Sequence, residues 1–290
     1  MVIFIKIGFI GAGKVGFSFG KYLSENKFKL SGYYSKNNLS SKEASIFTNS
    51  KFYLSIKDVV NESDIICVST PDDEILNIWS ELREYNISKR VICHFSGTLS
   101  SDVFTHIEQF GAYGYSIHPL FAICDKYNSY KSLKNAFITL EGDSRYINDI
   151  KSAFNSLGND VKIINKKDKT LYHAASVISS NFVLALINIS KSYLKTYGFK
   201  EEEALKALNP LIINNIKNIM ENGIIDSLTG PIERNDVETI IRHYEKLNET
   251  DKEIYKLLSK ELLNIAKMKN VNKNYKSIEG FLGEGLWRIQ

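Results

Sequence analysis

Gly11-Ala12-Gly13-Lys14-Val15-Gly16 closes an apolar run from Val2 to Ile10 and opens a stretch in which Val15, Phe19 and Leu23 recur at helical spacing. This is G-x-G-x-x-G in the setting that gives it meaning, a strand before and a helix after. The first glycine permits a tight turn, the second lets a pyrophosphate approach the backbone, and the third lets the helix lie close on the strand. Backbone N–H groups and the positive end of the helix then face the phosphates. Gly11, Ala12, Gly13, Lys14, Val15 and Gly16 are therefore candidate cofactor-binding residues. The bland alternative is a glycine turn that merely joins strand to helix.

The next strand, read over Leu30 to Tyr34, ends in Tyr34-Ser35-Lys36-Asn37. A cofactor with free ribose hydroxyls calls for Asp or Glu about 20 residues past the glycines, whereas a 2′-phosphate calls for hydroxyl and cationic donors. Ser35 lies 19 residues past Gly16 (35 − 16) with no acid near it in the sequence. Ser35 and Lys36 thus favour NADP, with NAD the other possibility and a solvated loop charge the bland reading of Lys36.

The alternation of strand and helix continues. Asp64 to Ser69 is a continuous apolar run of the kind buried on both faces of a parallel sheet. It ends in Thr70-Pro71-Asp72-Asp73, with Asp72 or Asp73 the expected helix cap. Ligands of open α/β sheets bind beyond the carboxyl ends of strands, which makes Thr70 and Pro71 candidates to line the cofactor groove. Strands are then expected over Arg90 to Phe95, Ala112 to Ile117, Ala136 to Leu140 and Val161 to Ile164, with helices over Glu74 to Tyr85, Ser101 to Phe110 and Arg145 to Leu157. From Lys169 to Tyr197 the apolar residues cover nearly every side of one helix, so it should be buried between domains or in a dimer interface. Glu201 to Asn222 is a second helix. The expected fold is α/β: a doubly wound, mostly parallel sheet over residues 1–165, followed by an all-helical domain over 166–290.

Composition excludes several classes. With 43% hydrophobic and 24% charged residues, the 290-residue chain reads as an ordinary globular protein. A net charge of +4 from 37 basic and 33 acidic residues offers no argument for a nucleic-acid or membrane partner. Cys67, Cys93 and Cys124 form no disulfide framework and read as reduced thiols of a cytoplasmic protein. No stretch is read as approaching the roughly 20 apolar residues that span a bilayer. Neither H-x-x-x-H nor C-x-x-C occurs, so no metal site is expected.

Chemistry is sought at strand ends. His94, in His94-Phe95-Ser96-Gly97, and His118, in His118-Pro119-Leu120-Phe121, both close strands, and Pro119 biases His118 towards an extended conformation. Each is a candidate substrate-site group, the alternative being a satisfied strand-end histidine. His106 and His243 read as surface or packing residues of amphipathic helices. Ser96 and Gly97 offer a hydroxyl and a backbone N–H to a developing oxyanion, or simply turn the chain. His173, Ser180 and Asn181 are polar groups in an apolar helix and need hydrogen-bond partners, either a substrate or a structural contact. Arg234, in Thr229-Gly230-Pro231-Ile232-Glu233-Arg234-Asn235-Asp236, suits a substrate carboxylate. The competing view of that segment is a turn with Asp236 as the cap of the following helix and Arg234 in a structural ion pair.

Taken in order, GAGKVG, YSKN, HFSG, SIHPL, HAAS with the following SSN, and TGPIERND resemble one family across almost the whole chain. It is the family of Rossmann-like NADP oxidoreductases whose C-terminal half is a domain of unknown function, within the 6-phosphogluconate dehydrogenase-like superfamily. The resemblance implies an NADP-binding domain followed by a helical domain that forms a homodimer. HFSG and SIHPLF are similar to segments of prephenate dehydrogenases in which a serine and a histidine serve the reacting hydroxyl; the matching positions are Ser96 and His118. The substrate-binding histidine of that family is replaced by Ser180 or Asn181. The catalytic lysine that β-hydroxyacid dehydrogenases place four residues before an asparagine is replaced by Val177. Pyrroline-5-carboxylate reductase shares the overall plan without its C-terminal signature. The expectation is an oxidoreductase that moves hydride to or from a small carbonyl, hydroxyl or imine substrate bearing a carboxylate. His118 would be its acid/base and Ser96 the hydrogen-bonding partner of His118, with Asn181 and Arg234 facing the substrate. A non-catalytic protein that senses nicotinamide cofactor and signals through its helical half fits the same motifs.

Overall fold

A computed structural model describes residues 5–283; the expected strand residues before Ile5 lie outside the described residues. Eight strands form one sheet: β1 Lys6–Ile10, β2 Lys29–Tyr34, β3 Lys51–Phe52, β4 Ile65–Val68, β5 Val91–His94, β6 Tyr113–Leu120, β7 Phe137–Gly142 and β8 Val161–Ile163. Their spatial order is β3-β2-β1-β4-β5-β6-β7-β8. β1 to β6 pair parallel, β7 runs antiparallel to β6, and β8 is parallel to β7. The order reverses direction beside β1, and the ends of β1 and β4 form the crevice in which ligands of such sheets lie. The helices of this half are α1 Lys14–Glu25, α2 Asn38–Thr48, α3 Ile56–Glu62, α4 Asp72–Leu82, α5 Ile147–Ser156 and α6 Lys169–Ser179.

The sheet is buried on both faces, which is why its strands read as unbroken apolar runs. Phe9, Cys67, Cys93 and Tyr115 pack on one side with Phe17, Phe19 and Tyr33. Their chain neighbours Ile10, Ile66, Val68 and Ile92 pack on the other with Val59, Ile75, Trp79 and Phe104. Cys67 and Cys93 are register partners with sulfurs 3.4 Å apart, both reduced and fully enclosed. Their hydrogen bond and burial push the Cys67 thiol well above its ordinary range.

Three expectations are corrected. The helix expected over Ser101 to Phe110 is two 3-10 turns, Ser101–Val103 and Ile107–Phe110, because His106 between them takes the left-handed conformation at φ 58°. The cap of α4 is Pro71, so Asp72 and Asp73 stand in its first turn, where carboxylates complement the helix dipole. The helix expected to run from Lys169 to Tyr197 is broken at Ser180 (φ −122°, ψ −71°) into α6 and α7 Asn181–Thr196. The two-residue β3 was too short to leave a pattern in the sequence.

Chain contacts divide the protein into Met1–Ser179 and Ser180–Gln290. The expected division at 165/166 follows the last strand, whereas α6 packs with the sheet half through Lys169, Tyr172 and His173. The second unit is helical: α7, α8 Glu201–Ser227, α9 Pro231–Arg234, α10 Val237–Lys246, α11 Glu249–Lys269 and α12 Lys276–Leu282. Its core gathers Ile232, Ile240, Leu263, Ala266, Tyr275, Ile278 and Leu282. For the helix expected to be buried between domains or in a dimer interface, α6 and α7 leave apolar side chains uncovered in the single chain, Leu171 at 75% and Leu184 at 68% exposure. The run Lys169–Thr196 is long and apolar enough, by length and composition alone, to cross a membrane, which corrects the reading that no stretch approaches that limit.

Candidate functional site at the strand ends

The glycine loop has the shape its sequence implies. Gly11 sits at φ +105°, and a Cβ there would lie 2.8 Å from the carbonyl carbon of Ser69. A Cβ on Gly16 would press on the Gly11 carbonyl oxygen at 2.7 Å and on the Ser69 hydroxyl, so the third glycine brings α1 against the ends of β1 and β4. Around Gly13 the opposite holds: a Cβ would meet nothing within 4 Å. Gly13 caps α1 with no side-chain hydrogen bond, and the first turn carries no acidic residue. A free helix N-terminus with open space before it matches a pyrophosphate. Across the crevice, the buried Thr70 hydroxyl has no hydrogen-bond partner among the described residues. These features fit a dinucleotide at residues 11–16 and Thr70; Pro71, the other groove candidate, caps α4.

At the end of β2 the structure adds what the sequence hid. Lys36 Nζ pairs with Glu74 Oε2 at 2.7 Å, from the first turn of α4. The premise that no acid is near Ser35 is therefore true of the sequence and corrected in space. The hydrogen bond raises the Lys36 pKa and lowers that of Glu74. Asn37 caps α2 by accepting from Leu39 and Ser40 N–H.

The second cluster lies where β5 ends and along the last residues of β6; that strand runs on to Leu120, past the end expected at Ile117, so His118 stands inside it, paired with Thr139. His94 is fully buried, and both ring nitrogens are engaged: Nδ1 accepts from Ser96 N–H at 3.2 Å and Nε2 donates to the Ser100 carbonyl at 3.2 Å. Burial drives its pKa down to about 3. That is a satisfied strand-end histidine. The Ser96 hydroxyl donates to Asp72 Oδ2 at 2.7 Å and accepts from the N–H groups of Thr98 and Leu99. It tightens the turn and ties it to α4, but it does not bond His118, which corrects the expected pairing.

The partner of His118 is Tyr172, whose hydroxyl lies 2.7 Å from Nδ1. That hydroxyl is also 2.9 Å from Thr139 Oγ1. Gly97 lies beneath two imidazoles, since a Cβ there would be 2.5 Å from His173 Cδ2 and 2.8 Å from His118 Nε2. His173 Nδ1 and the Thr98 hydroxyl are 3.2 Å apart, so His173 joins His118 over the turn as a candidate substrate group. Burial first, then the fields of Lys169 and His173, lower the His118 pKa to about 4, leaving the ring neutral around pH 7.

Under the turn lies a lysine the sequence reading passed over. Lys169, 2% exposed, donates to the Ser96 carbonyl at 2.9 Å and to the Ser116 hydroxyl, and stands 3.8 Å from Glu141 Oε1. Glu141, equally buried, accepts from Ser101 N–H and its hydroxyl at 2.7 Å each. Burial lowers the Lys169 pKa to about 8 against the opposing pull of Glu141 and Asp72. Two signals were available in the sequence. Lys169, Tyr172 and His173 stand at i, i+3 and i+4, one face of a helix, and Glu141 is a carboxylate inside an otherwise apolar strand, which calls for a buried cation.

Ser180, Asn181 and Arg234 belong to the second unit. The Ser180 hydroxyl donates to Asn181 Oδ1 at 3.0 Å. Arg234 is exposed at the end of α9, and Asp236 caps α10 by accepting from Thr239 N–H at 3.1 Å, the turn-and-cap arrangement weighed for this segment. His106 is exposed beside Glu108, and His243 meets the Tyr255 hydroxyl at 3.1 Å. No group of three or more His, Cys, Asp or Glu side chains among the described residues is placed to hold a metal.

A doubly wound sheet with an open glycine loop at the end of its first strand defines a Rossmann-type protein. Residues 3–119 match the model of a Rossmann-like domain, and residues 136–262 match that of a domain of unknown function, DUF2520. The chain belongs with the Rossmann-like proteins that carry this second domain. No curated protein sequence matches it. Among solved structures, protein TM1727 of Thermotoga maritima is 26% identical, with a TM-score of 0.72 over 91% of this chain and 99% of its own. A provisionally assigned NADP oxidoreductase of Bacteroides fragilis is 20% identical, with a TM-score of 0.71 over 90% and 98%. The pyrroline carboxylate reductase of Plasmodium falciparum with NADP bound is 13% identical, with a TM-score of 0.59 over 90% and 99%. At these identities the latter two show a shared fold.

Proposed function

We propose that this protein is an NADP-dependent oxidoreductase acting on a small carbonyl, hydroxyl or imine substrate. The observation that carries this reading is the placement, on one edge of one sheet, of an open glycine loop and of His118 and His173 over Gly97. The NADP named for relatives of the same fold supports the choice of cofactor. When bound, the nicotinamide supplies or takes the hydride.

The chain's own residues then have these roles. The N–H groups at the start of α1 hold the pyrophosphate, and Ser35 and Lys36 hold the 2′-phosphate, Lys36 leaving Glu74 to do so. His118 exchanges the proton at the reacting group, and His173 lines the same turn. Ser96 acts on the shape of the turn through Asp72 and the N–H groups it accepts from. The substrate bears a carboxylate, for which the Arg234 guanidinium has the matching fork. The uncovered apolar sides of α7 and α8, with Leu184, Leu211 and Met220 all exposed, suit a second copy of the chain, giving a cytoplasmic homodimer.

Titration with NADPH and NADH followed by assay on a panel of keto acids and imines tests the reading. NADPH should bind more tightly, and some panel members should oxidise it. His118→Asn should lower turnover while leaving NADPH affinity nearly intact; unchanged turnover on the responsive substrate would remove His118 from its role.

A further inference from the structure

Two hydroxyls, those of Thr139 and Tyr172, join the His118 carbonyl oxygen to His118 Nδ1 in a ring of close polar contacts. Thr139 faces His118 across the antiparallel β6/β7 register and is itself buried. Its Oγ1 lies 2.9 Å from the Tyr172 hydroxyl and 3.3 Å from the His118 carbonyl oxygen. Tyr172, from the face of α6 that also carries Lys169 and His173, completes the ring at 2.7 Å from His118 Nδ1. Each hydroxyl has one hydrogen to give, so the ring has a direction. Thr139 gives its hydrogen along the shorter of its two contacts, to Tyr172. The phenol hydrogen is then committed to the remaining neighbour, Nδ1. An imidazole that accepts at Nδ1 keeps its proton on Nε2 when neutral.

We propose that Tyr172 is a positioning residue for His118: supplied by Thr139, its hydroxyl donates to Nδ1 and fixes the neutral ring with its proton on Nε2, the nitrogen lying over Gly97. The catalytic consequence rests on the reading of His118 as the acid/base group. A resting site that presents an N–H is complementary to a hydrogen-bond acceptor, such as a carbonyl oxygen or an imine nitrogen, and not to a hydroxyl that needs to donate. The substrate class is therefore narrowed to the oxidised partner, which the resting ring binds through Nε2–H. Its reduction also consumes a proton, which a neutral ring could give only by becoming an imidazolate, so His118 must first be protonated at Nδ1. The ring also serves a charged His118 with no heavy atom moved. Nδ1–H would then donate to Tyr172, Tyr172 to Thr139, and Thr139 to the His118 carbonyl.

The test is nuclear magnetic resonance of the full chain labelled with nitrogen-15 histidine, at neutral pH and without cofactor, with His118 assigned by comparison with His118→Asn. The expected spectrum shows a protonated Nε2 and a bare Nδ1. In Tyr172→Phe, which removes only the hydroxyl, the two nitrogens should shift towards each other as the tautomers mix, and kcat should fall with NADPH affinity unchanged. A protonated Nδ1 in the unaltered chain would overturn the assignment by itself, so the outcome does not depend on the variant folding. An unaltered tautomer pattern in a folded Tyr172→Phe would overturn it too. Because the tautomer is read without cofactor, failure to bind NADPH would count against the reductase reading alone.

Discussion

Two glycine turns at strand ends, Gly11–Gly16 after β1 and the turn at Gly97 after β5, use the absence of a side chain in opposite ways. At Gly13 the space where a Cβ would stand is empty, and the backbone faces room for a ligand. At Gly97 that space is taken by the protein's own imidazoles. The first turn offers backbone N–H groups to its ligand, and the second is built from side chains that arrive from β6, β7 and α6. A turn of the first kind binds whatever presents phosphate to a helix end. One of the second kind has fixed chemistry and a supporting network that can be dismantled group by group.

The largest expected effect lies in that support. Lys169→Met removes the cation from beside Glu141 and the donor from under the Ser96 carbonyl. Stranding one partner of a buried ion pair costs about 3–5 kcal/mol. Glu141 keeps its two bonds from Ser101, so the loss should fall near the lower end, read as a reduced midpoint in urea unfolding with unchanged slope. Adding Glu141→Gln should restore most of it. A single variant as stable as the parent would show that the second turn does not rest on the pair.

Alanine at each glycine tests the contrast directly. At Gly97 the new Cβ displaces His118 and His173, and misplacing a reacting group by about 1 Å costs on the order of a hundredfold in turnover. At Gly13 alanine should leave stability alone and weaken NADPH binding about tenfold, because the pyrophosphate needs the space. If Gly97→Ala weakened NADPH binding and Gly13→Ala did not, the roles of the two turns would be exchanged.

The second turn should also respond to acid. His94 and His118 have folded pKa values near 3 and near 4 against an ordinary value of 6.5, so over the interval from 6.5 down to about 4 the unfolded chain binds more protons than the folded one. Stability therefore rises with pH through that window and is lost as pH falls, by about 2 kcal/mol per pH unit near its middle if both rings contribute. Lys169 acts in the same direction higher up: its depressed value near 8 makes stability rise between 8 and 10.5. His118→Asn should roughly halve the acid slope in denaturation measured against pH. An unchanged slope would mean that His118 is hydrated and titrates normally.

The same contrast explains what could be read from the chain. The succession of strands and helices and the glycine loop were legible because both depend on local pattern, apolar runs broken by glycine and proline, and because glycine geometry is a property of a few adjacent residues. His118 and His173 stood out as polar groups at a strand end and in an apolar helix. The network that joins them did not, because Lys169, Tyr172, Thr139 and Glu141 meet across separations of tens of residues. Lys169 was lost in a run of charges after Ile164 that looks like a linker. The unbroken helix expected from Lys169 to Tyr197 failed for a related reason. Apolar spacing continues through Ser180 although the backbone does not, so periodicity alone cannot mark the break.

The smallest expected effect concerns the first turn, where one charge from a distant element alters a reading made on neighbours in sequence. In the sequence Ser35 and Lys36 read as the 2′-phosphate pair because no acid stands beside them, yet Glu74 engages Lys36 at 2.7 Å. The pair is exposed, so its attraction is weakened by solvent and its breakage is cheap. A phosphate, with more acceptor oxygens and more charge than a carboxylate, should displace it. Glu74→Gln removes the competing charge and leaves Lys36 available, so NADPH affinity should rise a few-fold, most at low ionic strength, with NADH affinity changed less. If NADH binding weakened instead, Glu74 would be holding ribose hydroxyls. The acid missing after β2 would then have been supplied by α4, and the preference for NADP would reverse.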